Sequence, residues 1–144
     1  MPITLEIVTP TQLVFRDAVD SFTGPGTVGE FGILPGHRPL LASLRAGLAR
    51  FSQGGGKEHR LAIGPGFAEL DNDRMIILTD RVLDPGKLAV EDREQELREA
   101  QAQRDKADAD MRAWTGPTSA TEFEESRLAL DWALARISAL SPSS

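Results

Sequence analysis

Gly64-Pro65-Gly66-Phe67-Ala68-Glu69-Leu70-Asp71-Asn72-Asp73-Arg74-Met75-Ile76-Ile77-Leu78-Thr79 holds two short apolar runs around a polar turn. Phe67 to Leu70 and Arg74 to Thr79 are of strand length, and glycine, proline, asparagine and aspartate bound them. Asp71-Asn72-Asp73 could open a calcium loop, but the remaining ligands and the distal glutamate are missing. The segment therefore reads as a hairpin turn joining two strands.

The pattern continues upstream. Ile3 to Val8, Leu13 to Ala18, Val19 to Thr23, Glu30 to Leu34, Gly47 to Ser52 and Arg60 to Gly64 are further short runs. Thr9-Pro10, Gly24-Pro25-Gly26, Pro35-Gly36 and Gly54-Gly55-Gly56 separate them. Leu40 to Leu48 reads as strand or turn, because Pro39 and Gly47 leave little room for a helix. Such closely spaced strands with no helical period between them indicate an antiparallel sandwich or barrel.

Downstream the pattern changes at Asp84-Pro85-Gly86-Lys87. Of 13 glycines, 12 lie in residues 1–87, as do seven of nine prolines. Leu88 to Trp114 contains neither. There Val90, Leu97, Ala100, Ala107, Met111 and Trp114 form one stripe of an amphipathic helix. Gly116-Pro117 breaks it. Thr121 and Glu124 fit a capping box for a second helix, with Phe123, Leu130, Ala133, Leu134, Ile137 and Leu140 as its stripe and Pro142 as its stop. A short connection makes the pair an antiparallel hairpin. Its stripes are thin and alanine-rich, so the hairpin needs a third surface and is a candidate mobile element. The expected division is a β-domain over 1–87 and a helical hairpin over 88–144.

Composition narrows the function. With 144 residues the chain suits one domain, or one with an appendage. It has no cysteine, so disulfides, zinc-thiolate sites and thiol catalysis are excluded. No apolar run is long enough to span a bilayer, and the N-terminal segment lacks the pattern of a signal peptide. The expectation is a cytoplasmic globular protein without membrane insertion. A net charge of −6 repels nucleic acid and anionic lipid on average, so no nucleic-acid partner is expected. Residues 1–87 carry 9 basic and 10 acidic groups, a net −1, against 7 and 12, a net −5, in 88–144.

Motifs for chemistry fail in context. Gly24-Pro25-Gly26-Thr27-Val28-Gly29 matches the dinucleotide pattern, but Phe31-Gly32-Ile33-Leu34-Pro35 cannot be the required helix; a tight turn between strands fits. Gly54-Gly55-Gly56-Lys57 lacks the P-loop spacing, and Glu58 stands where a hydroxyl is needed, so a hairpin loop fits. His37 and His59 have no close-spaced carboxylate, and no nucleophile elbow is present. Asp80 and Asp84 could pair as acid and base in a weak hydrolase, though nothing in sequence converges on them. A second alternative is a small-ligand-binding β-domain with a helical dimerisation tail. The expectation is a non-catalytic chain with no metal and no cofactor.

One segment is more specific. Gly29-Glu30-Phe31-Gly32-Ile33-Leu34-Pro35-Gly36-His37-Arg38-Pro39-Leu40-Leu41 combines a short strand, a rigid turn and an apolar exit, which suits docking more than catalysis. It resembles the signature of the epsilon subunit of F-type ATP synthase, called delta in mitochondria. Leu5-Glu6-Ile7-Val8-Thr9-Pro10 resembles the opening strand of that family. Gly64 to Leu70 resembles its Gly-Gly-Phe block with Pro65 in place of a glycine, and Ile76 to Asp80 a later strand.

The resemblance implies a ten-stranded β-sandwich followed by a helical hairpin. It implies a rotor role, in which the sandwich sits with the gamma subunit on the ring of c-subunits. The hairpin folds on the sandwich or extends toward the alpha/beta catalytic head and brakes hydrolysis. Localisation would be peripheral, on the cytoplasmic face of the bacterial inner membrane. By the same resemblance Glu30 faces the c-ring and His37 closes the same bottom edge. The gamma-facing surface falls near Leu40, Leu41, Leu44 and Phe67. Arg127 and Arg136 are the bases of the second helix, against Glu122, Glu124, Glu125 and Asp131, a net −2 that predicts weak inhibition. Leu88-Ala89-Val90-Glu91-Asp92-Arg93 departs from the Ile/Leu-Asp-x-x-Arg-Ala motif of nucleotide-binding members, which predicts no high-affinity ATP site.

Overall fold

The computed structural model describes residues 2–141. Ten strands run β1 Ile3–Thr9, β2 Gln12–Val19, β3 Ser21–Gly26, β4 Gly29–Ile33, β5 Leu40–Leu44, β6 Gly47–Gln53, β7 Lys57–Ile63, β8 Gly66–Asp71, β9 Arg74–Thr79 and β10 Val82–Leu83. A 3₁₀ turn, Pro85–Lys87, leads into helices α1 Val90–Ala113 and α2 Thr121–Leu140. The fold is a β-sandwich followed by a C-terminal helical hairpin, as the sequence indicates.

Strand order is β10-β7-β6-β3-β5-β8-β9-β1-β2, with β4 paired to β3. β1 and β9 pair in parallel, and the other pairings are antiparallel. The sheet folds over until β2 meets β6. There the Phe15 and Phe51 rings lie 4.6 Å apart, and Gln53 Nε2 donates to the Ala18 carbonyl at 2.8 Å. Alternation fills the space between the layers. Ile3, Leu5 and Ile7 point inward from β1 and meet Phe22, Phe51, Leu61, Ile63, Leu70, Met75 and Ile77, all buried.

Two turns show how the sequence sets this register. Asp71 pairs with Arg74, so Asn72 and Asp73 form a two-residue loop, with φ of 49° and 59°. Both are positive, as the type I′ hairpin requires. Gly66 lies so close to β9 that a Cβ there would sit 1.8 Å from the Leu78 carbonyl oxygen.

Several expectations shift. Leu40–Leu44 is a strand. The Gly24-Pro25-Gly26 stretch is the end of β3, and the turn is only Thr27-Val28 between the paired Gly26 and Gly29. α1 begins at Val90, because Asp84 accepts from Gly86 N at 3.0 Å and Leu88 N donates to the Pro85 carbonyl, which holds the chain in the 3₁₀ turn. The capping box does not form. Thr121 is already helical, the cap is Ala120 with no side-chain bond, and Glu124 turns to Arg127. Pro142 lies outside the described residues.

The hairpin buries little. Ala100 and Ala107 are the buried residues of α1, and Ala133, Ala135 and Ala139 those of α2. Val90 and Leu134, expected in the stripes, are 57% and 44% exposed. The third surface exists: Ala135 and Ala139 pack on Ala62 of β7, bordered by Leu48, Leu83 and Trp132. α2 therefore lies between α1 and the outer face of β6 and β7.

Candidate functional site

Three features stand out on the surface, and none resembles a catalytic centre. Asp80 pairs with Arg81 at 3.3 Å, while Asp84 accepts from its own turn. Among the described residues no three His, Asp or Glu side chains are placed to hold a metal. His59 stacks on Phe51, with ring centroids 4.9 Å apart.

The first feature is the outer face of β5-β8-β9-β1-β2. Residues paired across strands point to the same side. Phe67 pairs with Leu78, Leu78 with Val8, and Val8 with Leu13, so four apolar side chains form a row across four strands. Phe67, Leu78 and Leu13 are 56%, 51% and 46% exposed. Leu41 pairs with Glu69, diagonal to Phe67, and is 74% exposed. A shallow groove of about 400 Å³ continues the row past Leu78 to Pro10 and Pro65.

The expected gamma-facing residues divide on this face. Leu41 and Phe67 lie on it. Leu40 is half-buried against the core, and Leu44 is a core residue at 3% exposure, because the alternation of β5 turns both inward. Leu44 supports the face from beneath and cannot touch a partner. Val8, Leu13 and Leu78 share this outer face, although the sequence reading did not single them out. Their signal was present: β9 is apolar at successive positions, so one set must face outward.

The second feature is the two ends of β4. Glu30, near its start, pairs with Arg50 of β6 at 3.1 Å, beside the fully exposed Val28. His37 lies beyond its far end, on a turn closed by His37 N donating to the Leu34 carbonyl at 3.1 Å. Gly36 N donates to Asp73 Oδ1 at 2.7 Å and ties that turn to the β8–β9 hairpin. The single edge expected for Glu30 and His37 is thus two separate ends, because the rest of β4, Phe31 to Ile33, and the turn after it lie between them.

The third feature is the hairpin. Arg127 bridges Glu124 and Asp131 on the exposed side of α2. Its hydrogen bond holds the Glu124 carboxyl below the ordinary value of 4.5, and Glu124 in turn raises Arg127. Arg136 is largely buried, with its side chain 12% exposed; it bonds Glu96 of α1 at 2.9 Å and also Gln103. In this arrangement both bases are engaged within the chain. A cleft of about 330 Å³, lined by Glu30, Arg45, Asp131 and Ser138 among others, separates α2 from the sandwich edge.

Residues 2–85 match the family model described as ATP synthase, Delta/Epsilon chain, beta-sandwich domain. The chain is 38% identical over 138 residues to the ATP synthase epsilon chain of Magnetococcus marinus, covering 96% of this chain and 93% of the relative. It is 36% identical over 114 residues to that of Rhodospirillum rubrum, covering 72% and 83%. In fold it is similar to a chain of the Euglena gracilis mitochondrial ATP synthase, OSCP/F1/c-ring in rotational state 1. That match has a TM-score of 0.68 at 22% identity and covers 97% of this chain and 82% of the other.

Proposed function

The chain belongs to the delta/epsilon chain family of ATP synthase, and from that premise we propose that it works as a central-stalk subunit of an F-type ATP synthase. It joins the rotor without catalysing a reaction. The observation that carries this reading is the row Phe67-Leu78-Val8-Leu13 with Leu41 beside it. A small β-body that already fills its core has no folding reason to leave so much apolar surface in one strip; such strips mark interaction sites. The gamma subunit is its partner in this reading.

The β3–β4 tip faces the c-ring. A fully exposed Val28 beside the charged Glu30 gives it an apolar point with an adjacent ion pair, which sets register more than affinity. His37 contributes separately, from the turn at the other end of β4. The hairpin contacts the alpha/beta head transiently and brakes hydrolysis weakly. Its second helix is net negative, and Arg136 is committed to Glu96 and Gln103 while the hairpin is closed. The complex is membrane-bound through other subunits, with this chain peripheral on the cytoplasmic face of a bacterial inner membrane.

Affinity capture with the gamma subunit of the same organism tests the reading. Retention of the full-length chain on gamma at about one-to-one, with the c-ring recovered when present, is the expected result. Failure to bind gamma under conditions in which the chain is folded would overturn it.

A further inference from the structure

We propose that Arg60 and Arg81 form a two-point cationic clasp that governs how firmly the hairpin stays closed on the sandwich. The inference deepens the regulatory role proposed above and rests on that reading for its meaning in the complex; the contact itself belongs to this chain alone.

The apolar part of the dock is slight: Ala62 of β7 against Ala135 and Ala139, with Leu48, Leu83 and Trp132 half-buried at its border. Three alanines remove little area from water, so polar contacts at the edge weigh heavily in the balance. Among the described residues, two such contacts run from the sandwich to α2. Arg60 of β7 donates from Nη2 to the Ser138 carbonyl at 2.9 Å. Ser138 is in the last turn of α2, where carbonyls lack helical partners and the helix end is negative. A cation there satisfies an acceptor and complements the helix dipole.

Arg81, between β9 and β10, places its guanidinium 5.2 Å from the centre of the Trp132 ring. Trp132 is six residues before Ser138, so the two arginines hold α2 at separate turns. Arg136 of the same helix also lies over that ring, 6.0 Å from its centre, and links it to α1 through Glu96. A pull on Trp132 therefore reaches both helices. Opening the hairpin loses both contacts but disturbs no inward-facing core residue, because Arg60 and Ala62 lie on the outer side of β7.

Trp132 reports on the clasp directly. The chain has two tryptophans, and W114F leaves Trp132 alone. In the full chain carrying W114F, R60A and R81A together should raise acrylamide quenching of Trp132 about two- to fivefold. Amide exchange in 121–140 should quicken while β1 and β9 keep their protection. R81K, which preserves a cation over the ring, should fall between parent and R81A. Unchanged quenching and exchange in the double variant would overturn the clasp. So would β1 and β9 loosening in step with α2, since that is general destabilisation. Loss of gamma binding with an intact clasp would instead count against the rotor reading, so the two failures are distinguishable.

Discussion

The sandwich and the hairpin are built on different scales of burial. The sandwich interlocks branched and aromatic side chains from nine strands, with Ile3, Leu5, Ile7 and Ile77 fully enclosed. Among the described residues the hairpin fully encloses alanines, and its larger apolar side chains stay half-buried or exposed. Close packing of large side chains makes a body that opens only as a unit, while an alanine seam permits close approach at small cost and small gain. The two units therefore differ in how much burial holds each of them together.

Truncation in the core should give the largest effect. Ile77→Ala removes a fully enclosed side chain and should cost about 2–5 kcal/mol in urea unfolding. A cost no larger than that of a surface substitution would erase the contrast. Ala135→Glu should act next most strongly and more selectively. A carboxylate against Ala62 should release α2, seen as faster exchange in 121–140, while β1 and β9 stay protected. Loss of both regions together would show one cooperative unit instead of two.

Smaller effects sharpen the picture. Deleting residues 88–144 should raise ATP hydrolysis by the assembled complex only slightly, since α2 is net negative; a large rise contradicts weak braking. ATP at sub-millimolar concentration should leave the melting temperature of the chain unchanged, and saturable stabilisation would contradict the departure at Leu88 to Arg93. The smallest effect is on pH. Glu124 has a lowered pKa, so its link to Arg127 stabilises α2 above the ordinary value of 4.5 and is lost as pH falls through the lowered one. Circular dichroism should show a slight loss of helix there, which Glu124→Gln abolishes.

Turns were the most legible part of the sequence, because they depend on local chemistry. Asn72-Asp73 and Gly54-Gly55-Gly56 take positive φ, as hairpin loops of those residues should. What depends on distant partners was less legible. Pro25 continues β3 because the strand pairs with β4 around it, although Gly-Pro-Gly reads locally as a turn. Thr121 reads as a cap, but the helix starts one residue earlier and takes its cap position to Ala120. Strands apolar on both sides conceal which side is the core, so neither the exposure of Leu78 nor the burial of Leu44 was legible. Ala62 carried no signal as the dock for α2, since an alanine is unremarkable until a helix lies on it.

The central claim is that the exposed row on β8, β9, β1 and β2 is the rotor-binding face. Phe67→Asp with Leu78→Asp puts two charges in that row without touching the core, so melting temperature should be nearly preserved. Titration of the gamma subunit by the parent and by this double variant tests the claim most directly. The expected result is tight parent binding and a loss of at least about tenfold in affinity for the variant. Equal affinity of the two chains for gamma would contradict it.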